Sequence, residues 1–119
     1  MTTEPRATAT ERTWNKTERA YAQHLEFHRV AGDILRWDFE PEKLRLADLT
    51  YYTPDFRVIY PDGTIEFHEV KGFMRDDAMV KIKVAAEQHP YRFVMVRRAK
   101  GGKWDVIWTS RNARVESLS

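Results

Sequence analysis

The alternation of apolar and polar positions divides the chain into elements before anything else is considered. Between Asn15 and Gly32, the residues Tyr21, Ala22, Leu25 and His28 recur on one helical face. Asn15 followed three residues later by Glu18 is a capping-box pattern and Gly32 is a C-terminal stop, so the spacing predicts a helix over about 16–31. Ile34–Phe39 and Lys43–Leu46 have strand character and are divided by Glu40-Pro41-Glu42, which reads as a strand, a turn and a second strand in one hairpin. Asp55–Tyr60 and Thr64–Lys71 are rich in β-branched and aromatic residues, joined through Tyr60-Pro61-Asp62-Gly63-Thr64 in the form of a tight turn. Asp76–Gln88 reads as a second helix with Met79, Ile82 and Ala86 on one face, and its Asp77/Lys81 and Lys83/Glu87 spacings read as solvated pairs. Arg92–Arg98 and Lys103–Trp108 flank Lys100-Gly101-Gly102 as a final hairpin. The predicted order, α-β-β-β-β-α-β-β, is an α/β fold with a mixed sheet flanked by two helices.

The central hairpin has a register that can be counted. Pro61 suits position i+1 of a type I turn and Gly63 the left-handed position after it, a three-residue loop in which Tyr60 pairs with Thr64. That loop sets Asp55 opposite Glu69, Arg57 opposite Phe67 and Ile59 opposite Ile65. A two-residue Asp62-Gly63 turn would instead set Asp55 against Val70. Two carboxylates directly across an antiparallel ladder repel unless positive charge lies between them. A divalent cation is the natural counter-charge, since Mg²⁺ takes one or two carboxylates and completes its shell with waters and phosphate oxygens. Lys71 lies two residues beyond Glu69, so the pleat sends it to the same face, beside the place for a phosphate and a nucleophilic water. Asp55, Glu69 and Lys71 with a metal make a hydrolytic phosphodiesterase site.

Composition narrows the setting. A length of 119 residues fits one domain, expected over 14–109 between polar tails, 1–13 and 110–119, that are expected to fray. No apolar run approaches the ~18 residues of a membrane span. The absence of cysteine excludes disulfides, Cys-based zinc sites and thiol nucleophiles, and with no apolar leader at the start an intracellular setting is expected. Net charge is only +2, but the basic excess is C-terminal: from His89 onward seven Lys/Arg face two acids. That bias suits a polyanionic partner such as nucleic acid, or a solvated basic tail.

The residues Pro54-Asp55 … Glu69-Val70-Lys71, in the contexts Tyr52-Thr53-Pro54-Asp55-Phe56 and Glu69-Val70-Lys71-Gly72, resemble the signature of the PD-(D/E)xK nuclease superfamily. Within it the chain is similar to the compact phage nucleases related to junction-resolving endonuclease I and to the nuclease subunit of cut-and-paste transposons, over about 15–97. The resemblance implies a restriction-endonuclease-like core and a DNA endonuclease, with Asp55, Glu69 and the Val70 carbonyl holding Mg²⁺ or Mn²⁺ and Lys71 orienting water or stabilising charge. It further implies an acid from the first helix, for which Glu18 is the candidate; capping is that residue's other role. DNA is the implied partner and the cytoplasm of a bacterial or phage-infected cell the implied setting. Cutting two strands suggests a homodimer or a partner subunit. A module that binds nucleic acid without cleaving it is the alternative.

Other positions carry weaker signals. His24 and His28 are one turn apart, a spacing that can chelate zinc, without a completing motif. His68 points away from Glu69 in the pleat and reads as a packed or exposed strand residue. Trp104 and Trp108 read as one strand face, for core packing or base stacking. Lys100-Gly101-Gly102-Lys103 could touch a DNA backbone, and Arg75 could clamp phosphate or sit exposed in a loop.

Overall fold

The computed structural model of the protein describes residues 14–72 and 77–110. Helix α1, Lys16–Ala31, is set by its caps. The Asn15 side chain accepts the Glu18 N–H at 2.7 Å, and the Glu18 carboxylate accepts the Asn15 N–H at 3.1 Å. Gly32 ends the helix in the left-handed region at φ 87°, its N–H turned back onto the helix carbonyls. The buried residues of α1 are Tyr21, Ala22, Leu25 and His28, the stripe its spacing predicts.

The described residues hold seven strands: β1 (Arg36–Phe39), β2 (Leu44–Ala47), β3 (Thr50–Tyr52), β4 (Phe56–Ile59), β5 (Ile65–Val70), β6 (Arg92–Arg98) and β7 (Trp104–Thr109). Five form one sheet in the order β1-β4-β5-β6-β7, and β2 and β3 form a separate ribbon. Within the large sheet β5 and β6 run parallel and the other neighbours antiparallel. Helix α2, Asp77–Gln88, lies in the connection from β5 to β6, the crossover that parallel neighbours require. The described part of α2 begins one residue after the predicted start, and Asp76 lies outside the described residues. Over the described residues the fold is therefore α/β, with a mixed five-stranded sheet and two helices. Among the described residues, no helix is long and apolar enough to cross a membrane.

The expected hairpin of Ile34–Phe39 with Lys43–Leu46 does not form. Strand β1 instead pairs with β4, Arg36 beside Ile59 and Phe39 beside Phe56, while β2 turns back on β3, a strand the pattern did not reveal. Five strands, not four, precede α2. Side-chain pairing explains the choice. Against β4, Phe39 packs on Phe56 with ring centroids 5.2 Å apart, and Asp38 takes the Arg57 guanidinium at 3.0 Å as well as that of Arg36 at 2.8 Å. A β1–β2 hairpin would forgo the Phe39–Phe56 and Asp38–Arg57 contacts and leave the outer edge of β4 unpaired.

Alternate residues divide between two cores. Tyr21, Leu25, Phe56, Val58, Val94 and Val96 pack between α1 and the sheet. Phe67, Ile82, Ala85, Phe93 and Met95 pack on the α2 side, closed by Leu44, Leu46 and Tyr52 of the ribbon. In α2 the fully buried residues are Ile82 and Ala85, while Met79 and Ala86 pack at the margin.

Candidate active site

The β4–β5 hairpin fixes the site by counting, as the turn chemistry predicts. Phe56 pairs with His68, Arg57 with Phe67, Val58 with Glu66 and Ile59 with Ile65. The three-residue loop closes through the Tyr60 N–H on the Thr64 carbonyl (2.9 Å) and the Gly63 N–H on the Tyr60 carbonyl (2.8 Å), with Gly63 at φ 91°. Asp55 immediately precedes β4, so the next step of this ladder lies at Glu69. Asp55 Oδ2 accepts the Val70 N–H at 2.8 Å, which ties the Pro54-Asp55 corner to the end of β5. A cleft of about 410 Å³ opens there, and Glu18, Asp55, Glu69, Val70 and Lys71 all line it.

Crowded carboxylates dominate the electrostatics. Burial pushes the Asp55 carboxyl well above the usual aspartate range, and repulsion from Glu69 adds to it; the Val70 N–H only partly offsets both. Burial also raises Glu69, to about 7, against hydrogen bonds from the Tyr52 hydroxyl and the Asp55 backbone. Glu18 is raised by burial, and more weakly by Glu40, while the Asn15 N–H lowers it. Such oxygens hold protons or take up a cation. Lys71 and Lys81 are the basic side chains that line the cleft.

This donor set suits a hard divalent ion. Its oxygens are desolvated and mutually repelling, and they share a cleft with room for waters and a phosphate. Among the described residues, no group of three or more His, Asp or Glu side chains forms a ready-made metal cage. One or two carboxylates completed by waters and substrate oxygens is the coordination Mg²⁺ ordinarily takes.

Several participants were not visible in the sequence. Glu40 raises the proton affinity of Asp55, Glu69 and Glu18. In the sequence it reads as part of the Glu40-Pro41-Glu42 turn. The β1–β4 pairing places it beside Asp55, whose carbonyl accepts the Glu40 N–H at 2.7 Å, and it sits at φ 45°, a left-handed backbone costing about 1–2 kcal/mol for a residue with a Cβ. Tyr52 donates its hydroxyl to Glu69 Oε1 at 2.7 Å, so one carboxylate oxygen is held in place. Lys81, expected on a solvated face, lines the cleft with Asp77. For Glu40 and Tyr52 the missing signal is the pairing of β1 and β3.

On the opposite face of β5 a polar network is fully buried. Tyr21 donates its hydroxyl to His68 Nδ1 at 2.6 Å, and His68 Nε2 donates to Glu66 Oε1 at 2.8 Å, an assignment that follows from the partners. Tyr60 donates its hydroxyl to the same Glu66 oxygen at 2.8 Å. His68 is thus a packed residue facing away from Glu69, and the network fastens α1 to β5 one turn beyond Glu18.

The remaining candidates resolve individually. His28 Nδ1 bonds Asp33 Oδ2 at 2.7 Å, and His24 stacks on Tyr21 with centroids 5.4 Å apart, so both rings have packing partners. Trp104 and Trp108 do not share a strand face. A bulge between Met95 and Val96 inserts Ile107 into β7, so Trp104 packs on the α1 core and Trp108 on the α2 core. The Lys100–Gly102 turn forms as expected between β6 and β7. Arg75 and the tails 1–13 and 111–119 lie outside the described residues. Compared with protein families, curated proteins and solved structures, the chain gives no match.

Proposed function

We propose that this chain is a metal-dependent DNA endonuclease of the PD-(D/E)xK kind, with a restriction-endonuclease-like core. The observation that supports it most is the hairpin register that brings Asp55 and Glu69 together in one cleft with Lys71. Asp55, Glu69 and the Val70 carbonyl are the groups to hold Mg²⁺ or Mn²⁺, with Glu18 as a further acid of the same cleft toward a second ion or the attacking water; the metal when bound would polarise the phosphodiester and lower the pKa of that water.

The protein's own groups do the remainder. The Val70 N–H holds one Asp55 oxygen and the Tyr52 hydroxyl holds one Glu69 oxygen, which orients both carboxylates. The Lys71 ammonium orients the water and offsets charge developing on the phosphate oxygens, and Lys81 adds a second positive charge along the same wall. Burial of the carboxylates strengthens each of these interactions relative to water. Cutting both strands calls for a second site, supplied by a second copy or by a partner subunit.

Lys71→Ala is the direct test. Linear duplex, junction and flap DNA are incubated with Mg²⁺ or Mn²⁺, and cleavage is expected to fall by about 10²–10³-fold while the thermal melt stays near that of the wild type. Undiminished cleavage by Lys71→Ala refutes the assignment. Metal-independent binding by the wild type, without cleavage of any substrate, favours the non-cleaving module.

A further inference from the structure

The parallel pairing of β5 and β6 places a cation that the site has not yet used. Glu69 pairs with Met95 and Val70 with Val96, and the Lys71 N–H continues the ladder on the Val96 carbonyl at 2.7 Å. One step further along the same register sets Lys71 beside Arg97. Phe93 and Met95 belong to the α2-side core, so alternation sends Arg97 to the face that carries Glu69 and Lys71. Met95, the preceding residue of that row, lines the cleft.

Arg97 is exposed and makes no ion pair with any described residue, although Asp105 lies across from it in β7. Three residues on, the chain turns at Lys100-Gly101-Gly102-Lys103, all of it exposed. Gly101 and Gly102 sit at φ 71° and 74°, and a Cβ on either would meet nothing within 4 Å. The tip is therefore bare backbone between two ammonium groups, open to close approach. Adjacent strands lie about 4.8 Å apart and strand residues rise about 3.3 Å each. Lys71, Arg97 and the turn thus form a line of positive charge on the order of 15 Å long, the length of several phosphates at about 3.4 Å per nucleotide. Arg98 projects to the other face, its guanidinium 5.9 Å from the Trp104 ring, and stands apart from this line.

We propose that Arg97, Lys100 and Lys103 form a track for the phosphate backbone of DNA, leading a strand to the Lys71 end of the cleft. The inference rests on reading the cleft as a phosphodiester site and names the surface that would serve it. Phosphate contacts of this kind set position and affinity and carry little sequence information.

The test is salt-dependent binding of full-length protein to fluorescent duplex DNA in EDTA, read by anisotropy between roughly 50 and 200 mM NaCl. The variant R97Q/K100Q/K103Q removes only exposed charges. It is compared with the wild type and with R29Q/K43Q/K83Q, which removes the same charge from other exposed positions. Losing three contacts should make the slope of log K against log salt shallower by about 2.7 in the track variant, with a smaller change in the control. A track variant that binds within twofold of the wild type with an unchanged slope overturns the proposal, as does equal loss in the control or a wild type that binds no DNA. The two readings fail separately. A wild type that binds through the track but cleaves nothing in Mg²⁺ or Mn²⁺ sinks the nuclease assignment and leaves the track standing. A wild type that cleaves, with the track variant binding and cleaving as well as it does, sinks the track alone.

Discussion

Replacing Glu69 with glutamine should stabilise the metal-free protein at neutral pH and do little in mild acid. The Glu69 carboxyl is raised from 4.5 to about 7, chiefly by burial, so the folded state binds its proton more tightly than the unfolded chain. Between those values the folded protein carries more protons, and stability falls as pH rises through the window. Below about pH 4.5 both states are protonated and the penalty vanishes; above about pH 7 it is complete, on the order of 3 kcal/mol at 1.36 kcal/mol per pH unit. Glutamine keeps an oxygen to accept the Tyr52 hydroxyl, so the hydrogen bond at 2.7 Å can persist without the charge. Urea denaturation in EDTA is run in parallel on both proteins at about pH 4 and about pH 8, the two ends of this window, and the difference includes the relief of Asp55 from Glu69 repulsion. The variant should match the wild type at the lower pH and exceed it by roughly 2–3 kcal/mol at the higher. Equal loss of stability at both pH values would refute the reasoning, because it would make Glu69 an ordinary hydrogen-bonded residue whose charge the fold tolerates without cost.

Two further substitutions separate roles near α1. Glu18→Gln can still serve the capping box, so folding should persist while cleavage drops at least about tenfold, equivalent to roughly 1.4 kcal/mol; turnover at the wild-type rate across a Mg²⁺ titration would leave Glu18 as a cap alone. Tyr21→Phe strips the buried His68 Nδ1 of its partner and should cost about 1–3 kcal/mol in urea denaturation, so a change under about 0.5 kcal/mol would contradict a buried bond that holds α1 to β5.

What could be read from the sequence follows the range of the interactions involved. Helix α1 was legible to the residue because Asn15, Glu18 and Gly32 are local signals for the ends. The Asp55/Glu69 proximity was legible because the turn Pro61-Asp62-Gly63 converts spacing into register. The partner of β1 was not, since adjacency in sequence favoured β2 and only the packing of Phe39 on Phe56 and of Asp38 on Arg57 decided for β4. That error concealed Glu40. The Glu66–His68 network was hidden for a related reason: its partner Tyr21 comes from α1, and nothing in the β5 sequence indicates which face will be sealed. Ile107 illustrates a third limit, because one inserted residue in β7 moves Trp108 to the opposite core from Trp104.

Surface turns ordinarily absorb insertions and deletions with little consequence. The turn after Tyr60 is exposed and polar, and by that standard it should vary freely in length. Changes that reach the ladder are restricted, because side chains alternate with a period of two. A residue added or removed there that the ladder takes up would slide β5 past β4 by one place and exchange the two faces of the strand, turning Glu69 and Lys71 onto the face that carries Glu66 and His68. The Lys100–Gly102 turn is freer, since it follows β6 and leaves the β5–β6 pairing alone. Length variation in this architecture is thus restricted at an exposed loop by chemistry at the other end of the hairpin, where neither Pro61 nor Gly63 touches the cleft.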